Sequence, residues 1–414
     1  MSDRQPQRLT IVTPTTAQFQ SEIYRIGGSA VARGHEVNVI ARWAPGLAIE
    51  ERHPAGYRII RIPVDPREGL PMPARLRRQI RRRAAGTVRH PRRGPARLLE
   101  IRGGSVEANR IAPPADLVLG FHYLGIGTAL TLGRRDGVPV VYDAGDIYLA
   151  STALIRLPWL IRSAIRRYER AAAKRANGIV TANEAYAQEL ARRLEVALPV
   201  AVMNCPPRTT PPAVQPRRFH KALGLEPGTR VVLYHGGFTP ERGIEELIAA
   251  IPSVRQAVLV LLGFGPLAAT YQAIAADPAS AGRVRVMPAV EPADLLEWVA
   301  SADVAAMPIQ PTTLNHRLTT PNKLFEAMAV GVPVVASDLP GMAAIVRSVD
   351  AGRLVDPTDP ASIARGLNRV LDAPEDVQLA RRTRILAAAH DLYNWETQSA
   401  SLFNEFGRLT GRPW

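Results

Sequence analysis

A single cysteine, Cys205, in 414 residues leaves the chain without an internal disulfide or a cysteine metal cage. The eight histidines form no HxxxH or HExxH pair, so a zinc site finds no support, and the expectation is no metal. No apolar run is long enough for a membrane span. The nearest, Leu117 to Gly133, is about a helix turn too short, contains His122 and reads as strand, turn and helix. The opening MSDRQPQR is polar and leads directly into a strand pattern, so a cytoplasmic protein without a signal peptide is expected. Lysine is scarce too: three lysines stand against 49 arginines.

What is abundant is positive charge, a formal +15, and it is unevenly placed. Ten arginines and no acid lie between Arg75 and Arg97. Such a block suits phosphates, whether of nucleic acid, anionic lipid or a lipid-linked substrate. The general preference for arginine over lysine explains it as well. Nucleic acid is the weakest of these partners, because the block carries no interleaved aromatics and the chain no RNP or helix-turn-helix pattern.

With 46% hydrophobic and 21% charged residues, a chain of this length can bury two cores of about 200 residues each. Apolar strand patterns at Leu9–Thr13, His35–Ala41, Tyr57–Pro63, Asp116–Phe121, Pro139–Tyr142, Gly178–Ala182 and Val200–Met203 alternate with helical periodicities, including a long one from Leu154 to Ala176. Strands alternating with helices imply a parallel sheet covered on both faces. Five prolines then crowd into Pro206 to Pro216, an extended connector. Beyond it the pattern repeats, with strands at Arg230–Tyr234, Ala257–Leu262, Val284–Met287, Val304–Pro308 and Val332–Ala336. The reading is two doubly wound Rossmann-like α/β domains facing a central cleft: 1–205 with an arginine-rich insertion at about 67–110, a linker at 206–216, a second domain at 217–390 and a closing helix at 391–414 that returns to the first. Ligands of such sheets sit outside the carboxyl ends of the strands.

The chemistry-bearing residues gather in the second domain. Tyr234-His235-Gly236-Gly237 ends a strand, and Pro240 to Ile244 reads as a helix opening with Arg242 in its first turn. Glycine lets a backbone approach a phosphate, and an adjacent arginine adds a bidentate charge. A tight turn with a solvated arginine explains the same letters. Gly263-Phe264-Gly265-Pro266 repeats the device one strand later. No GxGxxG follows the first strand and no GxxxxGK[ST] occurs, so hydride transfer and P-loop hydrolysis lose their support. In NHRLTTPNKLFEAMAVGVPVVASDLPGM, from Asn315 to Met342, Thr320 reads as a cap, Pro321 as the first helical position and Gly331 as the stop. Glu326 lies one turn beyond Lys323: the carboxylate suits vicinal hydroxyls of a ribose and the ammonium a diphosphate. The alternative is a surface Lys–Glu pair worth about 0.2–0.5 kcal/mol.

Pro321-Asn322-Lys323-Leu324-Phe325-Glu326-Ala327-Met328, followed by Gly331-Val332-Pro333-Val334-Val335-Ala336-Ser337, resembles the donor-binding signature of glycosyltransferase family 4, in the branch reading PNKLFE. Arg33-Gly34-His35-Glu36-Val37, Val140-Val141-Tyr142-Asp143-Ala144, Asn204 to Pro207 and Ala302-Asp303-Val304 through Pro308 resemble the same family along nearly the whole chain. The resemblance implies a GT-B fold and transfer of a sugar from a nucleotide diphosphate with retained anomeric configuration and no required metal or cofactor. It implies that Glu326 holds the ribose, that Arg242, Lys323 and Arg317 neutralise the diphosphate, and that the glycines Gly236, Gly237, Gly263 and Gly265 admit the donor. Asn322 and Leu324 are carried over with the motif, and Phe264 to Pro266 with Met287 to Val290 would line the base.

Two departures stand out. Leu318 occupies the place where the family commonly has a first glutamate, and Gly145, in Asp143-Ala144-Gly145-Asp146, occupies the place of a histidine near the reacting sugar. Either Asp146 or His122 compensates as the catalytic group, or the chain is a catalytically degenerate nucleotide-sugar binding or scaffold protein. The acceptor falls to the first domain. The arginine block and Leu157, Trp159, Leu160 and Ile161 beside Arg162, Arg166 and Arg167 suit an anionic membrane, at the inner face of the plasma membrane, and a lipid-linked glycan acceptor in cell-surface polysaccharide or glycolipid assembly. A core-facing helix with an arginine-rich outer side accounts for the second segment equally well.

Overall fold

The computed structural model describes residues 5–18, 20–62, 105–280 and 282–414. The stretch Arg75 to Arg97 and most of the expected insertion lie outside them. The chain divides into two compact units, Met1–Val202 with Ser399–Trp414, and Met203–Gln398.

In the first unit eight strands, β1 (Arg8–Val12), β2 (Glu36–Arg42), β3 (Glu50–Arg52), β4 (Arg58–Ile62), β5 (Leu117–Phe121), β6 (Val140–Asp143), β7 (Gly178–Thr181) and β8 (Val200–Ala201), form one sheet. Its order is β3-β4-β2-β1-β5-β6-β7-β8, parallel except where β3 meets β4. The continuous apolar runs are what a strand buried on both faces requires: every residue of β5 and β6 is buried. The exposed edge strand β3, all charged, had no alternation to betray it. It is tied down by Arg61, 1% exposed, whose guanidinium donates to the carbonyls of Thr16 and Ala48 and to Glu51.

The helix expected from Leu154 to Ala176 is broken in two, Thr152–Ile155 and Trp159–Ala173. Pro158 is the cause, since it lacks an N–H and pushes the preceding residue away from helical dihedrals. From Ser399 onward the helix Trp395–Thr410 and the tail pack on the first sheet. Arg33 lies 4.0 Å over the Phe403 ring, and Gln7 donates to the Pro413 carbonyl at 2.9 Å.

The second unit holds β9 (Arg230–Gly237), β10 (Ala257–Phe264), β11 (Val284–Met287), β12 (Val304–Met307), β13 (Val334–Ser337) and β14 (Gly352–Val355). All are parallel, in the order β11-β10-β9-β12-β13-β14. This is the doubly wound order, with the topological switch between β9 and β12. The proline run is not a free connector. Its carbonyls accept from Trp395 N at 2.9 Å (Pro206) and from Arg382 at 3.2 Å (Pro212), and the Arg208 guanidinium donates to the His390 carbonyl at 3.0 Å. Proline lacks a donor but keeps its acceptor, which arginine and backbone amides fill. Among the described residues no helix is long and apolar enough to cross a membrane.

Candidate active site

The carboxyl end of β9, at the switch point, gathers five side chains of the second unit. Tyr234 and His235 are its last large residues, and Gly236 and Gly237 complete it. Gly236 has φ of +114°, a backbone conformation that favours glycine, while a Cβ there would make only an ordinary contact, 3.6 Å from Lys323 Nζ. Gly263, in β10 opposite Gly236, meets a stricter demand: a Cβ would fall 2.0 Å from the Gly236 carbonyl oxygen. Strand packing thus accounts for Gly263 without a phosphate. Gly265 follows β10, and Phe264 at its end is 60% exposed.

Arg242 does not open a helix as expected. The following helix is Ile244–Ala250, capped by Gly243 in the left-handed region, and Arg242 sits in the turn before it, its Nε donating to Thr239 Oγ1 at 3.1 Å. The helix of the signature motif runs Asn322–Ala329, with Pro321 rather than Thr320 as its cap. Pro321 is extended there, at ψ 144°, because a proline just outside the helix avoids both its missing donor and its ring clash.

That helix sorts the motif by function. Leu324 is fully buried in the hydrophobic core, and its backbone N–H is taken by the Pro321 carbonyl at 2.9 Å, so it supports the fold rather than a ligand. Asn322 is exposed at the first position. Lys323 Nζ rests 3.6 Å from the centroid of the Tyr234 ring, a cation–π contact. Burial, followed by repulsion from Arg242, pushes the ammonium down to about 7, with Glu326 opposing. Glu326 Oε2 lies 2.9 Å from His235 Nε2, which donates to it. His235 is 4% exposed, and its Nδ1 is buried without a partner. Two mutually repelling cations beside a carboxylate make an arrangement that an anion with adjacent hydroxyls would complete.

Arg317 is exposed on the short helix Leu314–Leu318, and Val290 packs, partly buried, against the core. Nothing local in the sequence marks His235 and Tyr234 as site residues; their partners lie some ninety residues away in sequence, and only the position of β9 beside the motif helix reveals them.

The first unit has its own cluster at the carboxyl ends of β5 and β6. His122 follows β5 directly, with a positive φ of 65° unusual for a non-glycine residue. Its ring lies 3.8 Å from that of Tyr148, and its Nδ1 accepts from Leu124 N at 3.2 Å, which leaves Nε2 to carry the proton of the neutral ring. Asp143, the last residue of β6, is buried, whereas Asp146 is exposed. Burial, then the charges of Glu22 and Asp146, raises the Asp143 carboxyl well above the usual carboxylate range, with the Gly145 N–H opposing. Glu22 is pushed up to about 7 by burial and by Asp146, with Arg25 opposing. Burial and like charge thus favour the protonated carboxyl at both positions, a perturbation of the kind found at functional sites. Glu22, more than a hundred residues before Asp143, carried no signal of this in the sequence. Among the described residues no group of three or more histidine, cysteine and acidic side chains is placed to hold a metal ion.

Comparison with known proteins places the chain in a class. Residues 20–206 match the family described as Glycosyl transferase 4-like domain, and residues 229–373 match Glycosyl transferases group 1. The chain is therefore a glycosyltransferase of the family 4-like kind with a GT-B fold. It is similar to a D-inositol 3-phosphate glycosyltransferase of Streptomyces scabiei, 28% identical over 334 residues that span 74% of this chain and 71% of that one. It is likewise similar to a GDP-mannose-dependent alpha-(1-6)-phosphatidylinositol monomannoside mannosyltransferase of Mycobacterium tuberculosis, 26% identical over 414 residues, 95% of this chain and 97% of the relative. The fold resembles that of a sucrose-phosphate synthase from Thermosynechococcus elongatus, with a TM-score of 0.74 and 19% identity over 98% of this chain and 99% of that one.

Proposed function

We propose that this protein moves a hexosyl or related sugar from a nucleoside diphosphate, held by the second unit, to a lipid-linked glycan or glycolipid acceptor recognised by the first, with retention of anomeric configuration. The observation that carries the donor reading is the grouping of Arg242, Lys323 and Glu326 at the switch point. Glu326 takes the ribose hydroxyls, with His235 holding the carboxylate in place. Arg242 and Lys323 neutralise the diphosphate, aided by the exposed Arg317, and Asn322 lies beside them at the helix start. Gly236 and Gly237 give the phosphates access to the backbone, and exposed Phe264 offers a face for the base. Gly263, Gly265, Val290 and Leu324 shape the site from behind.

Departure of the nucleoside diphosphate develops negative charge, which fixed cations stabilise in place. In this reading those cations do the work that a metal does elsewhere, so no metal or cofactor is required. In a front-face reaction the leaving phosphate takes the acceptor's proton, and His122 and Asp146 position the acceptor hydroxyl where the family histidine is missing. Work on a lipid-linked acceptor would place the protein at the inner face of the plasma membrane, in surface polysaccharide or glycolipid assembly, in contact with anionic lipid and without a role for nucleic acid.

Gly145 motivates a second reading, a nucleotide-sugar binding or scaffold protein that has lost catalysis. The test is release of nucleoside diphosphate from a panel of UDP-, GDP- and dTDP-sugars, comparing native protein with Gly145→His. A Cβ at 145 would meet only Asp143 Oδ1, at 3.4 Å, an ordinary contact. Turnover by the native protein that falls in the variant supports the re-tuned enzyme. A silent native protein awakened by the histidine supports the degenerate one.

A further inference from the structure

The break that Pro158 makes between two helices leaves an apolar point on the surface of the first unit. Ile155 ends the helix Thr152–Ile155 at 42% exposure, and Trp159 and Leu160 open the helix Trp159–Ala173 at 75% and 63%. Scattered exposed apolar residues need no explanation, but three large ones within six positions do. The same helix is anchored elsewhere: Ile165, Glu169, Ala172 and Ala173, at helical spacing, are buried. Its first turn is therefore held outward by a packed stem.

Beyond the exposed Asp146, the charge along this stretch is of one sign. From Ile147 to Tyr168 there are four arginines, Arg156, Arg162, Arg166 and Arg167, and no acid. Arg156, Arg166 and Arg167 are exposed. The first acid beyond, Glu169, is buried and accepts from the Tyr142 hydroxyl at 2.8 Å, so it offers the surface no negative charge. A tryptophan and two aliphatic side chains set among guanidinium groups match the layering of a bilayer whose headgroups are anionic: tryptophan favours the interface, aliphatic groups the acyl boundary and arginine the phosphates.

We propose that Ile155, Trp159 and Leu160 insert into an anionic bilayer, with Arg156, Arg166 and Arg167 on the headgroup phosphates. The surface gives the lipid-linked acceptor reading a physical docking point and rests on that reading for its purpose. Docking itself is measured without donor or acceptor, so either can fail alone.

The experiment is co-sedimentation of the full chain with vesicles of phosphatidylcholine alone or mixed equally with phosphatidylglycerol. Binding to the mixed vesicles, weak binding to the neutral ones, and a loss of at least tenfold in both Trp159→Ser/Leu160→Ser and Arg166→Glu/Arg167→Glu would support the proposal. Calorimetric nucleotide binding by the same variants checks that the second unit is intact, and the Trp159→Ser/Leu160→Ser circular dichroism spectrum checks the first. Absence of binding to mixed vesicles, or full binding by a folded Trp159→Ser/Leu160→Ser variant, would overturn it. So would a native oligomer that this variant dissolves, since the patch would then cover a second copy of the chain.

Discussion

Lys323 makes the donor site measurable through protons. In the empty protein its ammonium is held near 7, first by burial and then by Arg242. A diphosphate beside it favours the charged form, so the bound pKa rises and binding takes up a proton. The sign follows. Below pH 7 the lysine is already charged and affinity is nearly flat; above it each binding event must recruit a proton, and Kd rises towards about tenfold per pH unit, the limit for one group. The nucleotide's own terminal phosphate ionises near about 6, so above 7 only the protein titrates. A bound pKa near about 9 corresponds to a shift of about 2 units, within what an adjacent opposite charge produces. Affinity should then fall about 25-fold from pH 7 to 9, roughly 1.9 kcal/mol. Calorimetry at pH 8 in two buffers of different ionisation enthalpy should register uptake of about 0.8 proton per nucleotide. Lys323→Arg keeps the charge but does not titrate, so its slope should vanish. An unchanged slope in that variant, or no proton uptake at pH 8, would refute the reasoning.

Gly243→Ala should cost at least about 2 kcal/mol in urea unfolding and weaken nucleotide binding, because the backbone there is left-handed at φ +71° and a Cβ would sit 1.9 Å from the Pro308 carbonyl oxygen. Glu169, buried under Tyr142, is pushed up to about 7. A folded pKa above the unfolded one means stability that is full below about pH 4 and declines as pH rises through 7. Glu169→Gln keeps an acceptor for the Tyr142 hydroxyl and should be more stable than native at pH 8, by at most about 3 kcal/mol, with the difference shrinking at pH 4. Chemical denaturation at both pH values reads it.

Much of this architecture was legible because buried parallel strands read as plain apolar runs. β5, β6 and β9 to β13 lay within a few residues of where hydrophobicity put them. Local signals failed where the deciding partner was distant. β3 is three charged residues whose strand character comes wholly from pairing with β4. Pro321 looked like a first helical residue but stands one position outside. The spacing of Lys323 and Glu326 was visible in the motif, whereas the Tyr234 ring beneath the ammonium and the His235 imidazole against the carboxylate depend on the placement of β9. Leu324 shows the converse: a residue carried along by its neighbours' resemblance proves to be core. The glycines divide likewise, Gly236 answering a positive φ and Gly263 the close approach of a carbonyl. Letters alone could not separate those two demands.

The central claim is a donor site built on Glu326 and Arg242. Titration calorimetry of UDP, GDP, dTDP and NAD against the native protein, Glu326→Ala and Arg242→Ala tests it directly. The account predicts micromolar binding of one nucleoside diphosphate, lost in both variants, and no comparable binding of NAD. Absence of nucleotide binding, or binding that survives both substitutions, would contradict it.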